Sequence, residues 1–256
     1  MARALHERVH CVTDWSRSIP DEEWRIYAEV LDHTADRGIP FALGGAFAVA
    51  ALTGYWRDTK DLDIYVLPQH RQAAIDVLTD LRFVDYFEAK PYDRWWIYRG
   101  LHGETIVDVI WAMANHRAQI DELWMSGPEI EIRSRRVKIL PAEALLWDKL
   151  YIMQRERCDW PDLLNILYWT ARYVDWEYLL DRLGDDRPLI AAALTVFRWL
   201  SPGCAAELPA WIWDCLGIVA QPVQADAPKL IRPRTELLDR RPWYGPDRAN
   251  LTRKAA

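Results

Sequence analysis

The sequence predicts an α/β (α+β) protein in which an N-terminal mixed sheet with flanking helices is followed by a helical C-terminal domain. Three observations carry that expectation. Between Phe41 and Trp111, short runs of β-branched, aromatic and aliphatic residues alternate with helix-length amphipathic segments. From Pro141 to Leu216 the apolar period stays helical. Near residue 140 one regime gives way to the other, which divides the chain into an arm over residues 1–20, an α/β domain over 21–140, a helical domain over 141–220 and a weakly ordered tail over 221–256.

The elements follow in order. Residues 1–20 are mixed in character, close on Pro20 and read as a loosely docked arm. Asp21-Glu22-Glu23 places acids at the positive end of a helix that runs to about Asp36, with Trp24, Tyr27, Val30 and Leu31 as its apolar stripe. Gly38 ends it and Pro40 prevents its continuation. Pro40 to Leu43 is a buried strand, Ala46 to Leu52 a short helix and Asp61 to Ile64 the next strand. Pro68 to Leu81 reads as a helix with Ala73, Ala74, Val77 and Leu78 inward. Strands are expected from Leu81, over Arg94–Arg99 and over Thr105–Trp111. A short helix over Ala114–Leu123 and a hairpin over Glu129–Leu140, with Ser134-Arg135 in its turn, complete the first domain. The second opens with a helix from Pro141-Ala142-Glu143 to about Glu156, and Pro202-Gly203 and Pro209 mark later loops.

Composition narrows the function classes. A chain of 256 residues with 51% hydrophobic and 27% charged residues can bury a proper core. Its net charge of −6 argues against a surface built to hold a long nucleic acid. Cys11, Cys158, Cys204 and Cys215 lack the paired spacing and neighbouring histidines of a zinc site, so thiols in a reducing cytosol are expected. No apolar run reaches the roughly 18 residues of a membrane span, and no signal-peptide core is visible near Met1, so the expected location is cytoplasmic. Among fifteen tryptophans, Trp160, Trp169 and Trp176 fall at helical spacing and read as core. Trp95, Trp96 and Trp111 leave open an aromatic wall that stacks a base.

Chemistry concentrates between Phe41 and Val66. Gly44-Gly45 precede a helix, so an anion can approach the backbone with no Cβ in the way, at the helix end that favours negative charge. Asp61 and Asp63 alternate with Leu62 and Ile64 on a strand, which turns both carboxylates to one face and suits a hard cation. Asp108 interrupts a run of apolar β-formers, a costly placement unless its carboxylate has a partner. Glu104, at even spacing along the same strand, is the alternative third carboxylate.

Gly44-Gly45 followed by Arg57-x-Thr59-x-Asp61-Leu62-Asp63-Ile64 resembles the signature of the nucleotidyltransferase (polymerase-beta-like) superfamily. It is similar in particular to the bacterial branch of AbiEii-type toxins and aminoglycoside and lincosamide nucleotidyltransferases, with motif order matching over about residues 22–170. The resemblance implies a nucleotidyltransferase-type mixed sheet and transfer of a nucleoside monophosphate from an NTP to a hydroxyl acceptor, with release of pyrophosphate. It implies Asp61, Asp63 and Asp108 as catalytic residues holding Mg²⁺, two ions in all, with Gly44, Gly45, Arg57, Thr59 and Lys149 toward the NTP co-substrate. Leu146–Leu150 with the later Asp159 and Asp162 resembles the lysine-bearing helix and aspartate turn of the AbiEii-like branch, although Asp159 before Trp160-Pro161 also reads as an N-cap. The acceptor stays open among a small molecule, a protein and an RNA end. Two other readings stand beside it. One is a nucleotide-binding regulatory or toxin–antitoxin component controlled by an antitoxin-type protein partner, and the other is a scaffold without metal-dependent nucleotide binding.

Overall fold

The computed structural model describes residues 14–219 and 228–239. It falls into two units, Cys11–Pro141 and one that runs on from Ala142.

In the first unit, strands β1 (Phe41–Leu43), β2 (Asp61–Val66), β3 (Val84–Asp85), β4 (Ile97–His102) and β5 (Thr105–Ile110) form one mixed sheet of order β1-β2-β5-β4-β3. β2 and β5 are parallel, while every other neighbouring pair is antiparallel. The two-residue turn Gly103-Glu104 joins β4 to β5 and fixes their register, with Gly103 in the left-handed region. Helix α1 (Asp21–Asp36) has three acids in its first turn and buries Trp24, Tyr27, Val30 and Leu31. Helix α2 (Gly45–Thr53) is apolar all round and buried from Ala46 to Thr53, as befits a short helix enclosed on every side. Helix α3 (Arg71–Asp80) follows a single 3-10 turn, and its Arg37–Asp80 ion pair ties it to the end of α1. Strands β6 (Glu129–Ile132) and β7 (Arg135–Lys138) make a separate hairpin.

Five expectations for this unit change. The strand expected from Leu81 begins at Val84, because Arg82, at a φ of +64°, closes the end of α3 with its N–H on Thr79 O. The segment from Asp14 is not a loose arm: Trp15 and Ile19 are buried, Trp15 stacks on Trp56, and Arg133 donates to the carbonyls of Ser16 and Ile19. The earlier part of that arm lies outside the described residues. The strand expected from Arg94 starts at Ile97, because Asp93 and Arg94 turn back to make side-chain bonds with Trp95 N and Asp85. No helix forms over Ala114–Leu123. His116 has a φ of +60°, incompatible with a helix, and the chain instead closes a loop through Met113 N to Ala118 O and Ile120 N to Trp111 O. The hairpin turn is Arg133-Ser134, one residue earlier than expected, with both residues at positive φ as a two-residue turn with matching strand twist requires.

The second unit packs α4 (Ala142–Leu150), α5 (Trp160–Thr170), α6 (Trp176–Leu183), α7 (Arg187–Leu200), α8 (Pro202–Ala205), α9 (Ala210–Cys215) and α10 (Pro228–Leu238). Its core includes Leu146, Leu163, Ile166, Leu180, Leu194 and Phe197. Trp176 is buried there, whereas Trp160 and Trp169 are only half-buried. Helix α10 lies in the stretch expected to be weakly ordered; Arg234 donates to the Trp199 carbonyl of α7, and Arg232 pairs with Glu236 one turn on. The other tail residues lie outside the described ones.

Helix α4 stops at Leu150 rather than near Glu156, because the chain reverses to bring Asp159 back to Lys149. Asp159 N donates to Ile152 O at 2.9 Å, and Gln154 N to Arg157 O at 2.7 Å. The Lys149 ammonium, 2% exposed, donates to Asp159 at 2.8 Å and to Asp162 at 2.9 Å. Asp159 spends its oxygens on Lys149 and Arg157 and makes no side-chain cap to α5, so the N-cap reading fails in its side-chain part. Burial alone would raise the Asp159 pKa; the bond from Arg157 and the charge of Lys149 outweigh it and bring it down to about 2. For Lys149 burial acts downward, yet the charges of Asp162 and Asp159 hold its pKa above 10.5.

Lys149→Met removes the buried cation that Asp159 and Asp162 share, leaving Asp159 only Arg157, and should lower the unfolding free energy in urea by about 3–5 kcal/mol. The pH dependence carries the sign. Asp159 contributes its full share above its unfolded pKa of 3.8 and loses it as pH falls toward 2, while the Lys149 share is full below 10.5 and fades as pH rises beyond it. Acid unfolding of the wild type, compared with Asp159→Asn over that lower window, measures the first part.

Candidate active site

The parallel pairing of β2 with β5 sets Asp63 directly beside Asp108, two residues on from the Asp61–Ile106 pair. Side chains of residues in register share a sheet face, so Asp61, Asp63 and Asp108 converge, and ligand oxygens from the three lie within 4.8 Å of one another. Asp108 is 1% exposed, whereas the Asp61 side chain is 31% exposed, so the cluster has a buried floor and an open rim. The donor set is carboxylate oxygen alone and fits a hard divalent cation. Small side-chain rotations bring such oxygens to the ~3–4 Å that separates neighbours around Mg²⁺.

The antiparallel pairing of β4 with β5 adds a fourth member. Arg99 lies opposite Asp108. Its Nε donates to Asp108 Oδ1 at 2.8 Å and its Nη2 to Asp108 Oδ2 at 2.5 Å, a bidentate fork, while Nη2 also reaches Asp61 Oδ2 at 3.5 Å. The bond to Asp108 raises the Arg99 pKa against the opposing pull of burial, and the charges of Asp108, Asp61 and Asp63 add to it. The Thr59 hydroxyl donates to Asp61 Oδ1 at 2.6 Å and fixes that carboxylate from the other side. On α1, the Tyr27 phenol donates to Glu23 at 2.6 Å; burial, this bond and the nearby charges of Glu23, Asp61 and Asp63 all raise its pKa.

The glycines touch this site differently from each other. Gly44 N donates to Asp63 O at 3.0 Å and its carbonyl accepts from Ala48 N, so it joins β2 to the start of α2. A Cβ on Gly44 would lie 2.1 Å from the Tyr65 ring, so this glycine admits an aromatic side chain. A Cβ on Gly45 would lie 1.7 Å from Asp63 Oδ2, and Gly45 has a φ of +47°. The first turn of α2 thus receives the Asp63 carboxylate, at the helix end where negative charge is favoured.

Asp61, Asp63, Asp108, Gly44, Gly45 and Thr59 are therefore neighbours. Arg57 is half-buried two residues before Thr59. Lys149 belongs to the other unit, where Asp159 and Asp162 hold its ammonium. Glu104 sits in the β4–β5 turn rather than in the cluster. Of the three tryptophans considered for stacking, Trp111 is buried with its indole N–H bonded to Trp95 O, and Trp95 is exposed against His116 with ring centroids 4.3 Å apart. Arg99 is the residue that sequence reasoning missed. Its signal was present: a tight turn at Gly103-Glu104 places Arg99 across from Asp108.

No protein-family model matches the chain, and no curated protein matches it in sequence. Among solved structures it is similar to the antibiotic-resistance factor ANT(2'')-Ia, with 20% identity, a TM-score of 0.45, and coverage of 66% of this chain and 92% of that one. It is also similar to the lincomycin-bound lincosamide antibiotic adenylyltransferase LnuA, with 20% identity, a TM-score of 0.42, and coverage of 58% and 96%. A third is JHP933 from Helicobacter pylori, with 15% identity, a TM-score of 0.37, and coverage of 86% and 98%. At these levels the likeness says nothing of substrate or metal.

Gly45→Ala should cost more stability than Gly103→Ala. Both residues have positive φ, so each variant carries backbone strain of about 1–2 kcal/mol, but an added Cβ meets Asp63 only at Gly45 and nothing within 4 Å at Gly103. Equal losses in urea unfolding would mean that the Asp63 carboxylate is not seated against α2.

Proposed function

We propose that the chain is a metal-dependent nucleotidyltransferase that moves a nucleoside monophosphate from an NTP to a hydroxyl acceptor and releases pyrophosphate. The observation that carries this reading is the convergence of Asp61, Asp63 and Asp108 from two parallel strands beside the first turn of a buried helix. Divalent metal bound there would supply charge neutralisation at the phosphates and activation of the acceptor oxygen. Asp61, Asp63 and Asp108 would hold it as carboxylate oxygens suited to Mg²⁺, two ions being what the family resemblance implies.

The chain's own residues divide the remaining work. Thr59 orients Asp61 through its 2.6 Å bond to Oδ1, while Oδ2, on the open rim, faces Arg99 Nη2 at 3.5 Å. The N–H groups at the start of α2 would favour a phosphate there once metal offsets the charge of Asp63, which already occupies the space above Gly45. Arg57, half-buried on the approach to β2, carries a charge suited to phosphate. Asp108, on the strand beside Asp63, would accept the acceptor's proton as the new bond to phosphorus forms, once Arg99 frees one of its oxygens. The covalent balance is simple: the acceptor oxygen bonds the α-phosphorus, the bond to the β-phosphate oxygen breaks, and pyrophosphate leaves with the electron pair.

The alternative of a nucleotide-binding regulatory component uses the same carboxylates and gives no product, whereas a toxin controlled by an antitoxin-type partner would still be an enzyme and is recognised by a co-purifying protein. Incubation with each α-labelled NTP, Mg²⁺ and a cell extract separates the two and identifies the acceptor by where the label appears. Asp63→Asn should abolish metal-dependent NTP binding in a folded protein, since the amide keeps the shape and loses the charge. Asp108→Asn should retain NTP binding and lose at least about a hundredfold in transfer rate, as a general base and acceptor-side ligand would. Wild-type transfer by a folded Asp108→Asn would remove Asp108 from the reaction.

A further inference from the structure

The bidentate bond between Arg99 and Asp108 uses both oxygens of the most buried carboxylate in the cluster, and its third contact reaches the rim carboxylate, Asp61. A divalent ion held by Asp61 and Asp108 would approach those same oxygens, each of which already accepts one guanidinium N–H. Guanidinium and metal thus bring like charges to one small volume, and in a partly desolvated site like charges exclude each other strongly. Arg99 also has somewhere to go: its side chain is 31% exposed, and Cζ lies 6.0 Å from the centroid of the Tyr86 ring, within range of a cation–π contact.

Resting on the metal-dependent reading above, we propose that Arg99 is a resident counter-cation that competes with divalent metal for Asp108 and Asp61, and that metal loads by displacing its guanidinium. In the absence of metal the arginine relieves the repulsion of three gathered carboxylates and holds Asp108 in its ligand rotamer. On loading, the fork opens and the guanidinium moves toward Tyr86. The metal concentration at which the site fills is then a property of Arg99 as much as of the ligands. Each equilibrium lowers the other by the same factor, so removal of the arginine strengthens metal binding by the factor with which its fork had opposed it.

Titration with Mn²⁺, read by the electron paramagnetic resonance of the free ion and by calorimetry, tests this on the full chain without any turnover. Arg99→Met should bind Mn²⁺ at least about tenfold more tightly than wild type, and its metal-free thermal midpoint should fall. Removing a positive charge would favour any cation, so Arg99→Lys makes the decisive comparison. It keeps the charge but not the planar fork, and should also bind more tightly than wild type, by a smaller factor. Unchanged or weaker binding in Arg99→Lys overturns displacement and leaves only a charge effect, and weaker binding in Arg99→Met makes Arg99 a support for Asp108 instead. A second measurement needs no variant to fold perfectly: the Arg99 Nε–H proton signal of the wild type should be protected from exchange without metal and lose that protection in saturating Mg²⁺. Persistent protection at saturation overturns the proposal. A wild type that binds neither Mn²⁺ nor Mg²⁺ overturns the metal-dependent reading itself, a failure distinguishable from the others because no variant comparison is then needed.

Discussion

Three carboxylates held within 4.8 Å of one another repel, and the fold around them is arranged to tolerate it. The compensation is local. Asp63 lies against the first turn of α2, Asp61 accepts from Thr59, and Asp108 takes both arms of a guanidinium. Each of these depends on strand register. A slip of one residue between β2 and β5 would send Asp108 to the opposite face, and the same slip between β4 and β5 would remove Arg99 from it. The Gly103-Glu104 turn and the all-apolar α2 are thus conditions for the site as well as for the sheet.

The second unit solves a related problem with the charges reversed. One buried ammonium, Lys149, is neutralised by two carboxylates, and the chain abandons helix after Leu150 in order to bring Asp159 back to it. Buried charge at this position contributes little net stability relative to apolar packing but penalises any arrangement that leaves a partner unpaired. The loop between α4 and α5 is therefore held by this charge pairing as well as by its backbone bonds, Gln154 N to Arg157 O and Asp159 N to Ile152 O. Arg157 adds a second cation to Asp159 from the exposed side.

Most of the chemistry was legible because it rests on period and composition. Alternation placed Asp61 and Asp63 on one strand face, and the cost of an isolated carboxylate among β-formers singled out Asp108. Helix limits at Asp21 and Asp36 were readable from the acids at one end and from Gly38 beyond the other. The misses share a cause. His116 at positive φ, the early turn at Arg133-Ser134 and the docking of Trp15 are each fixed by contacts with residues far away in sequence. Gly44 was chosen for the right position and for an incomplete reason, since the space above it belongs to the Tyr65 ring.

The sequence by itself determined which carboxylates could share a face, where the chain changes from mixed sheet to helix, and that a glycine pair precedes a helix ahead of them. These follow from side-chain alternation and backbone freedom, which are properties of a few consecutive residues. Only the tertiary structure decided the partners: that β2 runs parallel to β5 so that Asp63 meets Asp108, that Arg99 caps both Asp108 and Asp61, and that Lys149 is bound within its own unit. Charge pairing acts through space at a few ångströms, and which charges come that close is settled by the packing of whole elements rather than by spacing along the chain.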